Sequence, residues 1–171
     1  MSANLKCVMA RLTQCRKKRS RKPWRKSRVN TRQSLMPVRP TKKESQFWNS
    51  LRNQLKKLKP KWIPTRLESI ASLGLPDLLL STDHGFHLIE LKQCSGNTVR
   101  LSPHQVSFLT KHQHANVWVW IRLSKGEDTH IYSFSGEQAI EVAERGLRTK
   151  PVVLLKNPRG EDWNVLFESL T

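Results

Sequence analysis

From Glu44 onward, Phe47, Trp48, Leu51, Leu55 and Leu58 recur at three- and four-residue steps, which predicts one apolar face of a helix closed by Pro60. Trp62-Ile63-Pro64 and Leu67-Glu68-Ser69-Ile70 are short and ambiguous, extended first and then turning. Gly74-Leu75-Pro76 is a breaker cluster. Beyond it, Asp77 to Ser81 reads as a strand, Asp83-His84-Gly85 as a turn, and Phe86 to Lys92 as the returning strand. A polar Gly-Asn loop leads to Ser102-Pro103, an N-cap followed by proline at the first helical position. Val106, Phe108 and Leu109 supply that helix with its apolar face. Val117 to Leu123 is nearly all apolar and predicts a central strand buried on both faces. Thr129 to Phe134 is a further strand, and Glu137 to Gly146 a closing helix that glycine stops. The order is helix, hairpin of two or three strands, helix, strand, strand, helix. It defines a single α/β or α+β domain with a mixed sheet flanked by helices.

Charge divides the chain in two. The 171 residues carry a formal net charge of +18, but residues 1–43 hold 15 Lys+Arg and no acid. The remaining residues, 44–171, hold 16 Lys+Arg against all 13 acids, a net of +3. Hydrophobic residues make up 37%, a low share whose deficit falls in the leader. Residues 1–43 therefore read as a disordered basic arm before a near-neutral domain at 44–171. Arg16, Lys17, Lys18, Arg19, Arg21, Lys22, Arg25 and Lys26 would neutralise nucleic-acid phosphates there, with Trp24 available to stack on a base. A solubilising tail, an import-like address, or translation upstream of a true start at Met36 remain alternatives. Lys56 and Lys57, with Lys59 and Lys61, form either a second phosphate-contacting ridge or a solvated helix end. No run approaches the roughly 20 apolar residues of a membrane span, and residues 1–10 lack the apolar core of a secretory signal. The expectation is a cytoplasmic, non-secreted protein that meets DNA and no membrane. Cys7, Cys15 and Cys94 have no close pairing, and six histidines show no zinc-ligand spacing. His87 reads as a half-buried strand residue, and Trp118 and Trp120, on one strand face, as core.

Three ionisable positions concentrate the chemistry. Asp77 begins the first hairpin strand; Glu90 and Lys92 stand two apart on the second, so they share a face with Phe86 and Leu88. A turn at Asp83–Gly85 places Asp77 across from Glu90 and Leu91. Two converging carboxylates are costly to ionise together without a cation. Their hard oxygen atoms suit magnesium or manganese, and a neighbouring lysine suits the orientation of an attacking water. The bland alternative is a same-face Glu–Lys ion pair at a sheet edge. Gly-x-Pro-Asp thirteen residues before Glu90 weighs against it.

Gly74-Leu75-Pro76-Asp77, Ile89-Glu90-Leu91-Lys92 and Leu101-Ser102-Pro103-His104-Gln105 together resemble the PD-(D/E)xK nuclease superfamily. The branch they look like is the VRR-NUC and Holliday-junction-resolvase-like one often encoded by phages. The likeness spans about residues 44–123. It implies a restriction-endonuclease-like core of helix, three strands, helix and strand, and an endonuclease that hydrolyses DNA, branched DNA foremost. Asp77, Glu90 and the Leu91 carbonyl would hold Mg2+ or Mn2+, and Lys92 would act on the water. Glu68 matches a position where similar proteins place an extra acid; a surface pair with Arg66 is the alternative, and Glu44 is a rival for the role. Gln105 matches a glutamine that supports the site, or else it is the capping-box partner of Ser102. One side chain is not expected to do both. A homodimer is left open. The rival functions are a non-catalytic nucleic-acid-binding protein that works through its basic arm, and a virion or host-interaction protein with an unused site.

Overall fold

The apolar stripe that begins at Phe47 folds as expected into a helix, α1 (Lys42–Leu58), whose Phe47, Leu51 and Leu55 are fully buried. In the computed structural model the described residues are 42–67 and 74–171, with the side chains of 42–44 left aside. All of them belong to one compact unit, Pro37–Thr171. The basic arm, Trp24 and Met36 lie outside the described residues, as does Glu68; of Glu44 only the helical backbone is described.

The chain continues through β1 (Ile63–Arg66), β2 (Leu78–Thr82), β3 (Gly85–Cys94), α2 (Pro103–Lys111), β4 (Val117–Lys125), β5 (Asp128–Ser135), α3 (Ala139–Arg145), β6 (Val153–Lys156) and α4 (Trp163–Glu168). The six strands pair in sequence order, β1 to β6. Every pairing is antiparallel except β3 with β4, which α2 connects as a parallel crossover. The sheet is therefore mixed, as the element order predicted.

Alternation along the strands divides the core. One face packs Leu78, Leu80, Ile89, Leu91, Trp120 and Ile131 under α1 and α4, whose Trp163, Leu166 and Phe167 are buried. The other face packs Val117, Val119, Ile121 and Phe134 under Leu109 of α2 and Val142 of α3. Trp120 is fully buried and Trp118 packs against the same core, so both are structural, as expected.

Several expectations need adjustment. The ambiguous Ile63–Arg66 stretch is an edge strand, and its register continues as Leu67 N–H donates to the Asp77 carbonyl at 2.8 Å. The closing helix starts later than expected, after a tight turn at Gly136–Gln138, and Gly146 ends it at φ 61°. His87 is buried rather than half-buried, its Nε2 lying 3.3 Å from the Thr82 hydroxyl. Strand β6 and helix α4 were not foreseen. β6 is a four-residue edge strand and α4 has six residues, too short for either to show a period.

Leu51→Ala removes a fully buried side chain of α1 and should cost about 2–5 kcal/mol by chemical denaturation. Ile63→Ala, at an exposed position, should stay within about 0.5 kcal/mol. Burial, aided by His84, lowers the pKa of His87 from its ordinary 6.5. The unfolded chain therefore takes up the proton first as pH falls. The contribution of His87 is complete above pH 6.5 and is lost as pH falls from there through the lowered folded value. His87→Gln should flatten that part of a stability–pH curve.

Candidate active site

Asp77 is placed by what surrounds the turn before β2. Gly74 has φ +87°, and a Cβ built on it would stand 2.4 Å from the His104 carbonyl oxygen and 3.0 Å from the Gln105 nitrogen. Glycine alone lets this segment lie directly on the first turn of α2. Pro76 is buried behind it. At the next residue the Asp77 carboxylate crosses to β3, where Oδ2 accepts from the Leu91 N–H at 3.1 Å. Since β2 pairs Leu78 with Ile89, Asp77 stands across from Glu90 and Leu91 as the hairpin predicted.

Glu90 itself is buried, 1% exposed, on a strand with neighbours on both sides. Its Oε1 receives the Lys92 ammonium at 2.7 Å and the Gln105 amide Nε2 at 2.5 Å. The Glu–Lys ion pair of the bland reading does form. Its expected place at a sheet edge is incorrect, because β3 lies between β2 and β4. A carboxylate desolvated to this degree needs a cation and a donor held in good geometry. Lys92 and Gln105 supply them.

Gln105 also corrects the expectation that its two tasks exclude each other. Its Oε1 accepts from the Ser102 N–H at 2.9 Å, and its backbone N–H donates to the Ser102 hydroxyl at 3.2 Å. This is a complete capping box, and the other end of the same amide reaches Glu90. The helix start thus aims the site's neutral donor. The sequence marks Ser102 as a cap, but its part in holding Gln105 on Glu90 is visible only in the fold.

Hard cation ligands are present on one side of the hairpin. Asp77 and Glu90 supply carboxylates. A strand residue's N–H and C=O project to the same edge, so the Leu91 carbonyl points to the Asp77 side, past Leu78, where the β2 pairing ends. Two carboxylates and a carbonyl are the oxygen donors that a small divalent cation accepts. Among the described residues no third His, Cys, Asp or Glu joins them. Cys94, on the same face two residues past Lys92, is a poor nucleophile, since burial raises its thiol pKa. His104 is exposed on α2, and His112 caps its end.

The remaining expected site residues stand apart. Lys56 and Lys57 are exposed in the last turn of α1. Lys59 lies 4.0 Å from Glu168 and over the Trp62 ring. Arg66, the alternative partner of Glu68, lies over the Trp48 ring at 6.0 Å. Glu68, Arg16, Lys17, Lys18, Arg19, Arg21, Lys22, Arg25 and Lys26 are outside the described residues. No helix among the described residues is long and apolar enough to cross a membrane.

Fold and site define an α+β domain with a mixed six-stranded sheet and a carboxylate–carboxylate–lysine constellation where β2 meets β3. The chain matches no family model and no curated protein. Among solved structures it is similar to Hjc, a Holliday junction resolvase from the archaeal hyperthermophile Archaeoglobus fulgidus. The two are 20% identical, over 56% of this chain and 75% of that one, with a TM-score of 0.41. A likeness of that degree carries nothing about chemistry; the site's own geometry does.

Gly74→Ala should lower stability by on the order of 1–3 kcal/mol, read as a melting-temperature drop, because the left-handed φ and the α2 backbone both oppose a Cβ. Ser102→Ala should cost about 1 kcal/mol by removing the cap.

Proposed function

We propose that this chain is a metal-dependent endonuclease of the PD-(D/E)xK kind that hydrolyses phosphodiester bonds in DNA. The observation that carries the reading is the pairing of Asp77 with the Leu91 amide beside a buried Glu90 bound to Lys92. Asp77, Glu90 and the Leu91 carbonyl would hold Mg2+ or Mn2+. When bound, such a cation offsets the two carboxylates and withdraws charge from a phosphoryl oxygen.

The chain's own residues then have distinct tasks. Asp77 and Glu90 bind, and the hairpin register keeps them at a fixed spacing. Lys92 orients the attacking water and offsets the charge that grows on the phosphoryl oxygens. Gln105 holds the Glu90 carboxylate in place. The water oxygen bonds to phosphorus as one P–O ester bond breaks, and the water's proton leaves to solvent or to the departing alkoxide. A purely binding role gives no reason to bury an acid under a lysine beside a second carboxylate. A net charge of +18 fits a polyanionic partner. The motif resemblance makes branched DNA the first substrate to test, and cytoplasmic DNA the expected setting.

Plasmid, linear, single-stranded and four-way-junction DNA should be assayed on one gel with and without magnesium or manganese. Cleavage should require the metal, and Asp77→Ala, Glu90→Ala or Lys92→Ala should reduce it by roughly 10²-fold or more while DNA binding persists. Wild-type rates in Asp77→Ala with saturating metal would remove the site from the reaction. Glu68→Gln should shift the metal dependence if that acid joins the shell.

A chain that starts at Met36 should bind all DNA more weakly. Its slope of log affinity against log salt should shrink by roughly 0.9 for each duplex phosphate that the arm had neutralised, with turnover at saturating DNA retained. Loss of turnover in a folded, metal-binding protein would mean that the arm helps to build the site.

A further inference from the structure

A second polar recess lies on the opposite face of the sheet. Strand alternation puts Arg122, two residues past the fully buried Trp120, on the α1 and α4 side, away from Glu90 and α2. It lines a recess of about 180 Å³ together with Ser50 and Gln54 of α1, Thr129 of β5, and Ile131, Pro158 and Trp163. Two buried polar atoms of these walls, Arg122 Nε and Gln54 Oε1, have no hydrogen-bond partner among the described residues. Buried polar groups are nearly always satisfied, so two orphans on one cavity point to something that fills it.

The walls specify what that is. Among the described residues no carboxylate lines the cavity and none pairs with Arg122. The acids next in sequence to two wall residues, Asp128 beside Thr129 and Asp162 beside Trp163, are engaged elsewhere: Asp128 accepts from Asn157 Nδ2 at 3.0 Å, and Asp162 accepts from the Arg159 N–H at 2.8 Å. A guanidinium N–H and two hydroxyls are donors, and a half-turn of the Gln54 amide presents its NH2 in place of its oxygen. A group that accepts from several directions and carries negative charge matches this wall, and arginine is the side chain suited to phosphoryl oxygens. We propose that the cavity formed by Arg122, Ser50, Gln54 and Thr129 is a phosphoryl-binding site, separate from the Asp77–Glu90 centre.

At about 180 Å³ the recess is small, so it takes a small phosphate or the phosphorylated end of a strand. Either source has the same chemistry. The inference does not rest on DNA cleavage, and its test reads binding alone.

The full chain is titrated with inorganic phosphate by calorimetry and by NMR of the Arg122 Nε–H and Gln54 side-chain amide signals. A saturable shift of both signals is expected. Arg122→Gln should weaken phosphate at least 10-fold, while Lys111→Gln, which removes equal charge from an exposed position on α2, should not. Arg122→Lys, which keeps the charge without the Nε–H, should fall between them and serves if Arg122→Gln does not fold. A second arm compares one single-stranded oligonucleotide with and without a 5′-phosphate. Tighter binding of the phosphorylated form, abolished in Arg122→Gln, assigns the site to strand ends. Equal binding of the two forms, with inorganic phosphate still shifting the signals, assigns it to free phosphate. Signals that do not move with phosphate, or equal weakening by Lys111→Gln, would overturn the proposal and leave water bridging Arg122 and Gln54.

Discussion

Glu90 is an acid buried on an interior strand, and the domain is organised around making that tolerable. An unpaired carboxylate in such a place costs several kcal/mol, so its partners have to be set before the chain is stable. The Lys92 ammonium comes from the same strand face, two residues on. The Gln105 amide comes from a helix whose start is pinned by Ser102 and Pro103. Asp77 arrives from across the hairpin and rests on a backbone N–H of the strand between them. The candidate chemistry and the stability of this part of the fold thus depend on the same few contacts.

The two faces of the sheet share the work unequally. The α1 and α4 side carries the larger aromatic core, with Phe47, Trp62, Trp120, Trp163 and Phe167 together. That packing covers the strands from behind. The α2 and α3 side is built mostly from aliphatic residues with Phe134 among them, and Glu90 and Lys92 point to that side. Gly74 lays the turn before Asp77 directly against the first turn of α2, which carries Gln105. Positioning of this kind is what a reaction assisted by fixed charges requires.

Much of this is legible in the residues alone, and the reason is local. Helix α1, the β2–β3 hairpin, α2, β4 and β5 each carry a period, cap or turn contained within a dozen residues. The hairpin brings Asp77 opposite Glu90 because a short turn fixes the register, and Gly85, read as part of the turn, pairs with Thr82 at the start of β3. β6 and α4 were illegible for the converse reason. Four residues at a sheet edge and six in a helix have no pattern of their own, and they are held by Tyr132, Ile131 and the aromatic core that they cover.

The sequence by itself determined that Glu90 and Lys92 share a face, that Ser102 starts a helix, and that glycine precedes Pro76-Asp77. Each follows from backbone geometry over short separations. Only the tertiary structure decided that β3 lies inside the sheet, so that the Glu–Lys pair is a buried one rather than an edge ornament. It also decided that Gln105 caps α2 with one end of its amide and holds Glu90 with the other. The cavity at Arg122 joins α1, β4 and β5 with the start of α4, segments far apart along the chain. Burial and convergence belong to neighbours brought from a distance, and no local pattern encodes who those neighbours are.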